Sequence, residues 1–386
     1  MTSTVHRSRS RALLALPVLA AVPLTLAACA DKEPAGGSGS FTVAASDDAC
    51  TVSGSSGTTG NNTFEVTNSG SKVTEFYVYT QGGRVMGEVE NIGPGATRKL
   101  VVELPEAATY RTVCKPGMIG DGIGSDFTVT GDRVSAADSD DTKAAAVKNY
   151  LTYVRTQTST LDAQVGDFVA AIDAGDVAKA KSLYGPTRTA YERIEPIAEA
   201  FPDDLDPRID AREADLEDGQ TWTGFHTIEK QLWVDGAITD RTKADAAQLQ
   251  KDVKELVDGV AASDFTVSPA LIASGAQGLL DEIATSKITG EEDTFSHTDL
   301  WDFQANIDGS KAAIASLEEV LDARDPQLLK DINSRFADVQ KMLDGYRSGD
   351  GFVSYDTVTE PQRKELSTAL DALSERVTKV QDVVAQ

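Results

Sequence analysis

Histidine and cysteine are scarce in this chain, with three of each among 386 residues. The histidines are His6, His226 and His297, and the cysteines are Cys29, Cys50 and Cys114. No histidine falls between residues 41 and 133. That stretch therefore cannot build a type-1 copper centre, which takes two imidazoles and a thiolate. A zincin-type peptidase helix carries two histidines in a His-Glu-x-x-His run, and no such run occurs here. Positive charge is also short: 36 Lys and Arg stand against 61 Asp and Glu, a net −25. A surface of that sign repels nucleic acid and anionic lipid headgroups and attracts cations.

The N-terminus carries a targeting pattern. Arg7, Arg9 and Arg11 precede the apolar run "ALLALPVLAAVPLTLAA", which ends at Cys29. The run is short for a membrane span and closes on small residues, as cleaved export signals do. "LAAC", residues 26–29, is similar to a bacterial lipobox, in which cleavage precedes a cysteine that is then lipidated. The alternative is an ordinary export signal with a free Cys29. Removing residues 1–28 takes three arginines and no acidic residue, so the mature chain is more acidic still. Export leaves Cys50 and Cys114 in an oxidising compartment, where a disulfide is the plain reading and a thiolate metal site the sharper one.

Residues 29–40 read as a flexible tether. From residue 41 to about 133, segments such as "TFEVTN", "TEFYVYT" and "RKLVVEL" alternate apolar and polar residues between Gly, Asn and Pro clusters. They predict a β-sandwich of about seven strands. After the polar junction "DRVSAADSDDTK" the texture turns helical over residues 142–386. Helices are expected near 142–174, 176–200, 221–235, 240–262, 268–287, 298–322, 325–348 and 361–384, arranged as two antiparallel four-helix bundles.

The stretch "GFHTIEKQLW", residues 224–233, sets His226 and Glu229 three positions apart. On a helical wheel this pair falls in the same sector as Phe225, Ile228, Leu232, Trp222 and Trp233, so both groups point inward. An inward carboxylate is costly unless it meets a metal ion, a cationic side chain or the imidazole itself. Upstream, Glu192 and Glu195 share a helical face and Pro196 frees the carbonyl of Glu192. Asp210 lies in the acidic loop that follows. Carboxylates with one imidazole suit iron, zinc or manganese better than copper(I). His226, Glu229, Glu192, Glu195 and Asp210 are therefore the candidate ligands. Ser296 and Asp299 have the spacing of a capping box that would place His297 at a helix start. The run Glu291, Glu292, Asp293 could form a second cation site, but solvated charge is the better default.

Longer motifs carry a family likeness. "YERIEPIAEAF", "IDAREADLE", "TGFHTIEKQLW", "ITGEEDTFSHTDLWDFQANIDGS" and "YRSGDGFVSYD" resemble the EfeO-type iron-uptake lipoproteins along nearly the whole mature chain. The resemblance implies an N-terminal cupredoxin-like domain followed by an imelysin-like helical domain with a Gly-x-His-x-x-Glu signature. It implies an extracytoplasmic protein, anchored to the membrane through a lipidated Cys29, that binds ferrous or ferric iron and delivers it to a membrane permease, with a haem peroxidase as a further partner. It places the metal site at His226 and Glu229 with the nearby acids, and points to Cys50, Glu75 and Cys114 as a second metal site for iron, copper or zinc. Met86, Met118 and Asp121 are further candidate ligands there. Because imelysin-like proteins have been grouped with peptidases, a zinc-dependent metallopeptidase is the alternative reading.

Overall fold

The computed structural model describes residues 39–216 and 219–386. The expected export signal, Cys29 and nearly all of the expected tether lie outside the described residues. Nine strands, rather than seven, form the first part: β1 (Gly39–Ala45), β2 (Cys50–Val52), β3 (Ser56–Thr58), β4 (Gly60–Asn68), β5 (Thr74–Thr80), β6 (Val85–Ile92), β7 (Thr97–Leu104), β8 (Thr109–Pro116) and β9 (Ile123–Thr130). They pair as two sheets, β2-β1-β4-β7 and β3-β9-β8-β5-β6. β1 runs parallel to β4 and β3 parallel to β9, while the remaining pairs are antiparallel. The short strands β2 and β3 hold too few residues for alternation to be read, and β6, with its sequence VMGEVENI, is not read as a separate segment either. Phe64, Phe76, Phe127, Val66 and Leu100 fill the space between the sheets.

Cys50 and Cys114 are joined as a disulfide that ties β2 to β8. The strand register decides what else they can do. Phe76 lies opposite Cys114, and Glu75 opposite Lys115. Successive side chains on a strand point to opposite faces. Cys114 is therefore in the sandwich core, whereas the Glu75 carboxylate meets the hydroxyl of Tyr77 on the outer face. The three residues do not converge on one ion, and the bonded sulfurs are not thiolates. Met86 packs against the sandwich core, while Met118 and Asp121 are exposed.

The second part is helical: α1 (Ala136–Ser139), α2 (Asp141–Asp173), α3 (Val177–Glu192), α4 (Glu195–Glu199), α5 (Leu205–Asp210), α6 (Phe225–Lys230), α7 (Asp240–Ala261), α8 (Pro269–Thr285), α9 (Asp299–Ser316), α10 (Glu318–Arg324), α11 (Pro326–Leu343), α12 (Glu360–Val377) and α13 (Val380–Ala385). They group as two bundle halves, α2, α3, α6 and α7 against α8, α9, α11 and α12, with α3 and α2 packing on α9. One apolar core runs through both halves. Several long expected helices are interrupted. The helix expected over 176–200 breaks after Glu192 and restarts with Pro196 in its first turn. The 221–235 helix begins only at Phe225 and widens into a π turn over Gln231–Asp235. Trp222 thus precedes the helix, and its indole N–H donates to the Ala211 carbonyl, 2.7 Å. The Ser296–Asp299 capping box does not form: the helix cap is Thr298, and the Asp299 carboxylate turns back to accept the Asp293 N–H. The end of the 325–348 helix gives way to a short hairpin, Arg347–Ser348 against Gly351–Phe352.

The sandwich sits on α8 and α13 through β6 and β7. Arg98 pairs with Asp281 at 2.5 Å, Lys99 pairs with Asp382, and the Val101 N–H donates to Gln381. A cavity of about 300 Å³ lies at this junction, lined in part by Glu88, Glu90, Glu199 and Gln277. Tyr77 bridges Glu75 (3.1 Å) and Glu90 (2.9 Å) with a single hydroxyl proton, so both carboxylates cannot be served at once. Burial pushes the Glu75 and Glu88 carboxyls up to about 7, partly offset by Lys115, and pushes Glu90 and Glu199 well above the usual range. A carboxyl whose pKa is raised on folding stabilises the fold fully at pH below its unfolded value near 4.5, and that contribution is lost as pH climbs through about 7. The melting temperature should therefore fall between about pH 5 and 8, and Glu88→Gln should flatten that slope in thermal scans with a chelator present. Identical slopes in variant and parent would show that these carboxyls do not set the pH response.

Candidate metal centre

His226 is brought to Asp210 by a turn that only glycine can make. Gly224 has φ +89°, and a Cβ at this position would lie 2.1 Å from the Ile209 carbonyl oxygen. The chain before α6 thus lies directly against the C-terminal end of α5, which ends at Asp210. Thr223 adds a hydrogen bond to the Arg208 carbonyl, 2.8 Å.

His226 and Glu229 are wholly buried, at 1% and 0% exposure. Their roles differ. Glu229 Oε1 accepts two backbone N–H groups, from Phe295 (3.0 Å) and Ser296 (2.7 Å). Its Oε2 lies 3.2 Å from His226 Nδ1, and the Tyr184 hydroxyl lies 3.3 Å from the same nitrogen. Nδ1 is thus engaged. Nε2 has no hydrogen-bond partner among the described residues. Asp210 Oδ1 and Glu292 Oε1 each stand 3.5 Å from it. These three atoms all lie within 4.8 Å of one another, a spacing that one ion at ordinary bond lengths can span. A carboxylate on one imidazole nitrogen that frees the other for a metal is a common outer-shell arrangement.

The remaining expected acids occupy other places. Glu192, the last residue of α3, is used up by Arg188, by Lys287 Nζ (2.6 Å) and by Asn306 Nδ2 (3.0 Å). The carbonyl that Pro196 frees on Glu192 is taken by Asn306 Nδ2, 2.8 Å. Glu195 faces Lys287, 3.4 Å, rather than His226. Of the five residues expected to ligate, the structure sets Asp210 beside Nε2 and Glu229 beside Nδ1, and directs Glu192 and Glu195 to internal cations.

Several members of the cluster lie outside the expected ligand set. Glu292 and Asp293, read as solvated charge, are 5% and 0% exposed. Tyr184 donates to Asp293 Oδ1 (3.1 Å), and Thr298 donates to Asp293 Oδ2. The loop that carries them is pinned from the far side, where the Tyr355 N–H donates to the His297 carbonyl, 2.9 Å. The motif containing Tyr355 thus braces the centre from outside. Arg188, Lys287 and Asp302 are each wholly buried in it. The available signal was a polar stripe at helical spacing, Tyr184, Arg188 and Glu192 on α3 and Asp299, Asp302 and Asn306 on α9, all on the buried faces of those helices.

Electrostatics follow from this crowding. Burial and Arg188 oppose a charged His226, but Asp210, Glu229 and Glu292 outweigh them and raise its pKa to about 10. Burial opposes ionisation of Glu292, but Lys287, His226 and Arg188 hold its carboxyl well below the usual range. Asp293 is raised to about 6 by burial and by Glu229. The ion-free centre therefore holds an imidazolium facing ionised Glu292, and an ion bound at Nε2 must expel that proton.

The imelysin family profile, also described as peptidase M75, matches residues 146–380. The iron uptake system component EfeO of Escherichia coli O1:K1 is 39% identical over 331 residues, covering 84% of this chain and 86% of that protein. This chain belongs to the imelysin family and groups with its EfeO members. The K12 EfeO protein is 38% identical over the same span, and an Efem/EfeO family lipoprotein of Staphylococcus haemolyticus is 43% identical over 267 residues, 68% of this chain and 92% of that protein. The staphylococcal relative covers less of this chain than the two E. coli EfeO proteins do. Every residue of the centre falls within the imelysin match. Among the described residues, no helix is long and apolar enough to cross a membrane.

Proposed function

We propose that this chain is an extracytoplasmic iron-binding component of an uptake system, which captures ferrous or ferric iron at His226 Nε2, Asp210 and Glu292 and passes it to a membrane permease. The observation that carries this reading is an imidazole nitrogen that is buried, makes no hydrogen bond among the described residues and is flanked by two carboxylate oxygens at 3.5 Å. Hard oxygen donors with one imidazole suit iron, and the names of the E. coli relatives, as iron uptake components, and of the staphylococcal relative, as a lipoprotein, support this choice. Glu229 acts in this reading as the group that fixes the imidazole, not as a ligand. A lipid on Cys29 would tether the molecule, and a haem peroxidase of the same system is the further partner we assign.

The geometry speaks against hydrolysis. A peptidase would need Glu229, the signature carboxylate, as general base toward a metal-bound water. Both of its oxygens are already engaged, one by two backbone N–H groups and the other by His226. Anaerobic titration of the full-length protein with Fe²⁺ should saturate at one ion in the imelysin domain. Absence of saturable uptake would overturn the reading.

A further inference from the structure

Three groups of carboxylate and imidazole atoms in this cluster are close enough to hold an ion: Asp210, His226 and Glu292; His226, Glu229 and Asp293; and Glu192, Glu292 and Asp302. The third group is filled by the chain itself. The Arg188 guanidinium reaches Glu292 Oε1 (3.0 Å) and Asp302 Oδ2 (3.0 Å) and pairs with Glu192. It also forks onto Asp210. Lys287 stands behind it, 2.6 Å from Glu192, 3.4 Å from Glu195 and 3.8 Å from Glu292. Both cations are wholly buried.

We infer that this is a two-cation centre in which one cation belongs to the protein: Arg188, backed by Lys287, permanently occupies the inner carboxylate site and weakens the hold on an iron ion in the outer one, so that the iron can be released. This rests on the reading of His226, Asp210 and Glu292 as the ligands. The outer and inner sites share the Glu292 carboxylate, whose Oε1 faces His226 Nε2 on one side and Arg188 on the other. An ion entering beside Nε2 comes within a few ångströms of a fixed positive charge, in a buried setting that screens it little. The same charge keeps Glu292 and Asp210 spread and aimed while no ion is bound. The arrangement thus gives a preformed site of restrained affinity, which suits a carrier better than a store. It also limits the centre to one ion where its carboxylates alone could hold two.

Lys287 is the cleaner residue to change, because it touches neither His226 nor Asp210 and stands 3.8 Å from Glu292, where Arg188 stands at 3.0 Å. In full-length Lys287→Met, Fe²⁺ should bind roughly tenfold tighter by calorimetry, and transfer to a competing chelator should slow by a similar factor. The melting temperature of the ion-free variant should drop, since buried carboxylates lose their counter-charge, while the rise on adding Fe²⁺ should grow. Lys287→Arg, which keeps the charge, should bring affinity and release back toward the parent. A folded Lys287→Met with unchanged or weaker affinity would overturn the inference, because a merely structural lysine lowers stability without tightening the site. Should the variant be unfolded without metal, refolding on addition of Fe²⁺ supports the inference and failure to refold contradicts it. A parent protein that binds no Fe²⁺ at His226 defeats the reading beneath; a parent that binds, with a variant that does not tighten, defeats this inference alone.

Discussion

His226→Ala and Glu292→Gln each weaken Fe²⁺ binding about a hundredfold or more in a titration of the full-length protein, an effect of roughly 3 kcal/mol. The two substitutions remove different things. His226→Ala deletes the one imidazole that the described residues bring into the cluster. Glu292→Gln keeps the shape but removes the carboxylate that lies 3.5 Å from Nε2 and is held ionised by Lys287, His226 and Arg188. Glu229→Gln behaves differently. It preserves every atom beside Nε2 and loosens only the imidazole's orientation, so affinity falls by about 10- to 100-fold, the usual range for outer-shell partners. The ordering distinguishes the two faces of the ring. If Glu229→Gln proves as damaging as His226→Ala while Glu292→Gln is silent, the ion lies on the Nδ1 side with Glu229 and Asp293.

The second large effect falls on the sandwich. Reduction of Cys50–Cys114, or the Cys50→Ser/Cys114→Ser double variant, should lower the unfolding free energy of that part by about 4 kcal/mol, the chain-entropy value for a loop of this length. The bridge closes 64 residues and joins the two sheets across their core. Denaturant titration read by the sandwich tyrosines would show the loss. Iron binding at His226 should be unaffected, because Cys114 lies in the core of the sandwich and Glu75 on its outer face. A variant that keeps its stability but loses an ion would return the thiols to a ligand role.

Much of the architecture was legible because it depends on period. Alternation in "TFEVTN" and "TEFYVYT" gave strands, and the Ala- and Leu-rich texture after residue 141 gave helices. The inward pointing of His226 and Glu229 was also readable from the wheel, and both are buried. What period could not show was pairing across the fold. The wheel treats Glu192 as a free carboxylate, whereas Arg188 and Lys287, 4 and 95 positions away, consume it. "GEED" reads as surface because charge runs usually are, yet Tyr184, His226, Arg188 and Lys287 converge to hold Glu292 and Asp293 inside. The division of labour between the imidazole nitrogens was likewise beyond reach, since it depends on the backbone N–H groups of Phe295 and Ser296 lying opposite Glu229. Here the acids that matter were recognisable less by their own neighbours in sequence than by a polar stripe on the buried faces of α3 and α9.

The central claim is that iron sits on Nε2 of His226. Anomalous diffraction at the iron edge, from crystals of the full-length protein loaded with Fe²⁺, tests it most directly. The account predicts one strong peak about 2.0–2.2 Å from His226 Nε2, with oxygens of Asp210 and Glu292 in the same shell and Glu229 outside it. A peak between Nδ1, Glu229 and Asp293, or a peak confined to the sandwich, would contradict it.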